Sequence, residues 1–193
     1  MSPPRLTRDE QRARTRADLL EAAVSVFAER GYHGASVDQV ADAAGFTKGA
    51  VYSNFSSKEE LFLALFDEVH EDMLAGLDQA MAVAPEQRGA AIAAAVSTWS
   101  RTWFLLETEF ELYAARKPGL REVVAKRQAA TRARIAAVIG RHMANAGTAG
   151  QHDPDDLARL VVAVVDGVNL MALNNDDTDR GRLLSTFLAL LTR

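Results

Sequence analysis

The side chains best equipped for chemistry lie in one short stretch, Ser36 to Lys58, and they are hydrogen-bonding groups rather than nucleophiles or metal ligands. Lys48, Tyr52, Ser53, Asn54 and Lys58 supply two ammonium groups, a phenol, a hydroxyl and a carboxamide. On a helix that starts at Lys48, only Val51 and Phe55 are large and apolar, while Gly49 and Ala50 add little bulk. Such a helix fits the major groove of a duplex. Ammonium and phenol groups reach phosphates, and Ser, Asn and Lys match base edges. Tyr52 and Lys58 are the candidates for phosphate. Lys48, Ser53 and Asn54 are the candidates for bases, with Lys48 equally able to reach a phosphate and Asn54 suited to adenine. The same spacing also suits an ordinary solvated corner between two helices.

Local signals position this set. Ser36 caps a helix and Gln39, three residues on, closes a capping box, with Val40, Ala41 and Ala44 as the apolar stripe. Gly45 ends that helix, and Thr47 caps a second one running through Phe55. Two short helices around a glycine turn have helix-turn-helix spacing. Upstream, Thr7 and Glu10 open a helix expected to reach about Arg30 and stop at Gly31, with Leu20, Val24 and Phe27 buried. Downstream, Ser57 and Glu60 open a fourth helix to about Ala82, a rod of roughly 35 Å that serves as a mechanical link.

Residues 8 to 68, above all Glu29 to Glu68, resemble the DNA-binding domain of the tetracycline-repressor (TetR) family of bacterial transcription regulators. The residues that carry the resemblance are Arg30-Gly31-Tyr32, Val40-Ala41, Gly45, Gly49-Ala50-Val51-Tyr52, Phe55 and Ser57-Lys58-Glu59-Glu60-Leu61. Asn54 stands where many members have His, and Val37 where many have a hydroxyl. The resemblance implies a DNA site of Ser36, Thr47, Lys48, Gly49, Ala50, Tyr52, Ser53, Asn54 and Lys58. It also implies a homodimer on a palindromic operator, most often as a repressor, with a small-molecule effector in the second half.

Composition agrees with an all-α chain. The 193 residues contain no cysteine, which removes disulfides and thiolate chemistry. His33, His70, His142 and His152 fall in different elements, and no HExxH, phosphate loop or nucleophile elbow is present. No enzyme and no cofactor is expected. The absence of a long apolar run predicts a cytoplasmic protein without membrane attachment. Net charge is -4, yet residues 1 to 16 carry five Arg against Asp9 and Glu10, so attraction to an anion is local. That start is either a solvated face or a phosphate-seeking arm.

The second half divides into further helices at Pro85, Lys117-Pro118-Gly119 and Gly147 to His152. Trp99, Trp103, Leu106, Phe110 and Tyr113 recur at helical spacing and form either core or the wall of an apolar ligand site. The candidate ligand residues are Phe66, Met73, Trp99, Trp103, Glu107, Phe110 and Tyr113. The helix from Pro118 carries Arg121, Lys126, Arg127, Arg132, Arg134 and Arg141 against Glu122 alone, either to take an anionic ligand or as a solvated face. The last two helices are apolar on two sides. Leu157, Val161, Val165, Val168, Leu184, Leu188 and Leu191 are expected at a dimer interface, with Ala163 and Gly167 permitting close approach. The expected domains are a helix-turn-helix head, 1–57, and a helical ligand-binding and dimerisation body, 58–193. The alternative is a helical homodimeric adaptor or ligand-binding protein that does not bind DNA.

Overall fold

A computed structural model of the chain describes residues 7–84, 87, 90–92, 94–95, 100–145, 147–175 and 177–191, with side chains up to residue 187. The described residues contain no strand. Their bounded helices are α1 Arg8–Gly34, α2 Val37–Ala44, α3 Lys48–Asn54, α4 Lys58–Ala82, α5 Arg101–Ala115, α6 Pro118–Asn145, α7 Pro154–Ala172 and α8 Arg180–Leu191. Residues 87, 90–92 and 94–95 are helical as well. Two compact units result, one of Met1–Glu68 with Leu105–Phe110 and one of Val69–Phe104 with Glu111–Arg193. The division departs from the expected boundary at residue 57, because the first turns of α4 and the middle of α5 belong to the head.

In the head, Thr7 caps α1, donating its N–H to Glu10 Oε2 at 2.7 Å while its Oγ1 accepts from the Glu10 N–H at 3.3 Å. The buried face of α1 is Leu19, Ala23, Val26 and Phe27. The expected stripe through Leu20 and Val24 is displaced by one residue: Leu20 is half-buried and Val24 is 47% exposed. Ala23 is wholly buried on that face, and a pattern read from large side chains alone overlooks it.

The break at Gly31 is a change of backbone rather than an end, for the chain adopts φ 69°, ψ 170° there and helical turns resume to Gly34. This backbone region is almost reserved for glycine. Tyr32 then donates its N–H to Glu109 Oε2 of α5 at 2.8 Å. Rings pack around that bond: Tyr32 meets Phe62 edge-on at 5.1 Å and Phe110 at 4.9 Å, and Phe62 stacks on Phe110 at 4.4 Å. Burial of each ring stabilises the head by about 1.5–3 kcal/mol. Phe110 is 1% exposed, so this member of the predicted ligand stripe is closed core.

The second unit is built on α6. Leu74 and Leu77 of α4 meet Ile135 and Val138 of α6 and Ala158 of α7, with Met73, Met81 and Ile92 packed against them. Arg134 pairs with Glu71, and Arg141 with Asp78 at 2.9 Å. Both partners advance by seven residues, so the two pairs lie two turns apart along the same seam. Arg132 binds Asp155 at 3.1 Å. Asp155 also pairs with Arg159, and these hydrogen bonds hold its carboxyl below the usual carboxylate range. Three of the six basic residues of α6 are therefore committed to carboxylates, which favours the solvated-face reading over an anion site.

Ser100 is extended and caps α5, accepting the Trp103 N–H at 3.0 Å. The helix that carries Trp103, Leu106, Phe110 and Tyr113 therefore begins at Arg101. Trp99 itself lies outside the described residues, as do the side chains of Leu188 and Leu191. On α7, Val168 is 8% exposed and packs on Leu184 with Val164, Val165 and Leu183 around them. Asn169 is buried, and its Oδ1 accepts from Arg180 at 3.1 Å. Val168 and Leu184 thus belong to the core of one chain, and Leu157, Val161 and Val165 are half-buried beside that face. On the opposite side of α7, Leu160, Leu170 and Met171, none of them among the residues expected at an interface, are each more than half exposed. Periodicity shows that a helix has two apolar sides; it does not say which is covered by its own chain.

Gly31→Ala is expected to destabilise the fold by about 1–3 kcal/mol, the cost of a side chain in this backbone region. The added methyl would also stand 3.0 Å from Glu109 Oε2. Urea unfolding checks it, and an unchanged midpoint would show that the kink is not constrained.

Candidate nucleic-acid interface

Ser36 caps α2 reciprocally with Gln39: the Ser36 N–H donates to Gln39 Oε1 at 2.9 Å, and the Gln39 N–H to Ser36 Oγ at 3.3 Å. Val37, Val40 and Ala41 bury its inner side. Gly45 turns the chain in the left-handed region, φ 71° and ψ 25°, and the Phe46 N–H closes on the Ala41 carbonyl at 2.9 Å. Thr47 then caps α3 through its Oγ1, 3.2 Å from the Ala50 N–H. Helix α3 has only seven residues, too few to persist alone, so tertiary contacts must hold it.

Val51 and Phe55 hold it from below, at 0% and 1% exposure. Two arginines of α1 hold its end: Arg12 donates to the Ser53 carbonyl at 3.3 Å, and Arg16 to the Asn54 carbonyl at 3.2 Å. The Arg16 guanidinium also lies 4.2 Å from the centre of the Phe55 ring. The last carbonyls of a helix carry partial negative charge, which a cation satisfies. Neither reading of the arginine-rich start foresaw this. A signal was present in the four-residue spacing of Arg12 and Arg16, which places them on one side of α1, and in the lack of a basic residue in the last turn of α3.

Thr47, Lys48, Gly49, Tyr52 and Ser53 are exposed, with Tyr52 at 47%. Of these, Lys48 and Tyr52 line a hollow together with Ser36, Val37, Asp38, Ser57, Lys58 and Glu59, among others. The capped starts of α2 and α4 meet at this hollow, where Lys48 and Lys58 stand with the carboxylates of Asp38 and Glu59. Lysines, hydroxyls and helix starts are the groups that contact phosphate.

Four candidates sit differently from a simple outward reading. Lys58 is half-buried, donating to the Ala35 carbonyl at 2.8 Å with its Nζ 4.5 Å from the Tyr32 ring centre, and burial pushes its pKa down. It ties the start of α4 to the end of α1 while remaining at the rim of the hollow. Asn54 folds back one turn, its Nδ2 donating to the Ala50 carbonyl at 2.9 Å and its Oδ1 buried. A bidentate adenine contact needs both amide atoms outward, so the structure does not present Asn54 for that role. Ser53 donates its hydroxyl to the same carbonyl at 2.8 Å, leaving its oxygen lone pairs as acceptors, and Ala50 is half-buried.

A short helix with a polar outward face, clamped across a second helix at a glycine turn, defines a helix-turn-helix DNA-binding transcription regulator. Residues 19–65 match the bacterial regulatory proteins of the tetR family, and residues 83–193 match the tetracyclin repressor-like C-terminal domain. The chain belongs to the TetR family.

Among curated relatives, it is 43% identical over 84 residues to the HTH-type transcriptional activator FasR of Mycolicibacterium smegmatis, covering 44% of this chain and 36% of FasR. It is 46% identical over 54 residues to the HTH-type transcriptional repressor AcnR of Corynebacterium glutamicum, covering 28% of this chain and 29% of AcnR. The aligned part therefore spans about a third of these relatives. Among solved structures, a TetR transcription regulator from Haloarcula marismortui shares the fold with a TM-score of 0.73 at 18% identity, covering 93% of this chain and 97% of that one. The regulator FadR from Bacillus subtilis, in complex with stearoyl-CoA, does so with a TM-score of 0.73 at 21% identity, covering 91% and 97%.

Arg16→Met keeps the apolar stem and removes the charged donor. It is expected to cost about 1.5–3 kcal/mol, the typical worth of a hydrogen bond to a charged group. It should weaken binding to all duplexes alike, because it loosens α3 without touching a base. Unfolding in urea and titration against two unrelated duplexes check both statements.

Proposed function

We propose that this protein is a ligand-responsive repressor that binds a palindromic operator as a homodimer. The observation that carries the reading is the hollow at the starts of α2 and α4, rimmed by Lys48, Tyr52 and Lys58 beside the exposed face of α3. Two such heads, about 34 Å apart, would engage successive major grooves of one duplex face. Lys48 and Ser53 read bases; Ser36, Thr47, Tyr52 and Lys58 position the head on phosphates. Repression is the mode named for AcnR, and FasR shows that a relative of this head also serves activation.

The exposed stripe of α7 supports the dimer. Leu160, Ala163, Gly167, Leu170 and Met171 follow helical spacing along one side, and a side chain built at Gly167 would meet nothing within 4 Å. A symmetry-related helix can therefore approach closely there and cover the leucines. The effector belongs, on this reading, in the second unit, against Trp103 with Met73 and Tyr113. With much of the basic face of α6 paired, an apolar body rather than multiple negative charge is the expected recognition feature. Effector and operator binding are linked, so each changes the affinity of the other by the same factor.

Selection of genomic fragments followed by gel-shift titration tests the function, and effector screening by thermal shift tests the response. Recovery of no preferred sequence would favour the adaptor reading. Leu170→Asp should yield folded monomer in ultracentrifugation at micromolar concentration, whereas Val168→Asp should unfold the chain by placing a charge in its core. Dimer that survives Leu170→Asp would refute the α7 stripe as the interface.

A further inference from the structure

On the exposed face of the head, Lys48 does not point alone. Its Nζ lies 2.8 Å from Asp38 Oδ1 and 2.9 Å from Asp38 Oδ2, so one ammonium meets both oxygens of one carboxylate. Lys48 is the first residue of α3, and Asp38 lies in the first turn of α2. Each side chain is 58% exposed, so the pair stands at the protein surface. Asp38 and Lys48 both line the hollow, with Tyr52 beside them and the Lys48 Nζ 6.0 Å from its ring centre.

We propose that Asp38 is a specificity-determining residue, holding Lys48 for a base edge and withholding it from phosphate. The proposal rests on the reading of this face as the DNA interface. An ammonium has three N–H donors and no acceptor. A carboxylate that engages one side of it leaves donor capacity for a neutral acceptor such as the O6 or N7 of guanine. A phosphate is a worse partner in this setting. It must either displace Asp38 or sit beside a carboxylate of the same charge, and a neutral Lys48–Asp38 pair contributes nothing to counterion release. The carboxylate hydrogen bond to Lys48 also raises the lysine pKa, so the ammonium stays charged while its net field is cancelled. An acidic residue at a DNA-facing surface thus lowers affinity for any duplex and leaves affinity for the right base in place.

The test measures binding by fluorescence anisotropy, on the selected operator and on an unrelated duplex of equal length, from 50 to 200 mM salt. Asp38→Asn should tighten binding to the unrelated duplex and steepen its salt slope by about 0.9, the value of one additional phosphate contact. Across that salt range, the slope corresponds to about a 3.5-fold larger loss of affinity than in the unmutated protein. The ratio of operator to unrelated affinity should fall. Asp38→Glu, which retains the charge, should restore the ratio, and in a Lys48→Met background Asp38→Asn, which there removes an unpaired carboxylate, should shift affinity for both duplexes alike and leave the ratio unchanged.

With Lys48 present, equal tightening on both duplexes would make Asp38 a general repulsive charge and overturn the proposal. Equal weakening on both, or no change, would make the pair a brace between α2 and α3 and overturn it as well. If the unmutated protein shows no preference for any operator, the DNA-interface reading itself fails, which this assay registers before any variant is compared.

Discussion

The head depends on a backbone amide that its own helix leaves without a helical geometry to serve it. At Gly31 the chain departs from helical φ and ψ, and Tyr32 presents its N–H to Glu109 of α5. A buried amide without an acceptor is costly, and a carboxylate acceptor makes one of the stronger hydrogen bonds available. Glycine is required at 31 on two counts, backbone region and the nearness of that carboxylate. The rings of Phe27, Tyr32, Phe62 and Phe110 close around the joint. The next residues of the chain are set by this joint: the Ala35 carbonyl is taken by Lys58, and Ser36 opens α2 immediately afterwards. A bent helix end thereby fixes where the DNA-facing elements begin.

From there the head solves a problem of size. A seven-residue helix has little intrinsic stability, yet base readout needs its outward side chains held in one orientation. Thr47 satisfies its first N–H groups, Arg12 and Arg16 satisfy its last carbonyls, and Val51 with Phe55 anchors it. Val51 and Phe55 are buried, whereas Lys48, Tyr52 and Ser53 are exposed. Residues that hold the helix and residues that present chemistry are thus largely separate sets.

In the second unit, charge serves packing. Arg132, Arg134 and Arg141 run along α6 and meet Asp155, Glu71 and Asp78 on the helices beside it. Exposed pairs of this kind add little stability each, but they select register, because a shift of one residue along α4 would mismatch both seam pairs at once. Apolar contacts beneath them contribute more of the stability.

The sequence by itself determined that the head is helical, the caps at Thr7, Ser36 and Thr47, the turn at Gly45 and the family. Thr7 with Glu10, Ser36 with Gln39, and Thr47 with Ala50 are interactions over three residues, and such interactions are written in order along the chain. Only the tertiary structure decided what the long side chains do. Arg16 reaches a carbonyl 38 positions away, Lys58 one 23 away, and Glu109 an amide 77 away. It also decided which apolar side of α1 and α7 is covered, so that Val24 and Leu170 face outward while Ala23 and Val168 are buried. Local pattern specifies that a helix forms and which residues share its side. The covering of that side depends on elements distant in sequence, and a hydrogen-bonding side chain chooses its partner only when folding has brought the candidates within reach.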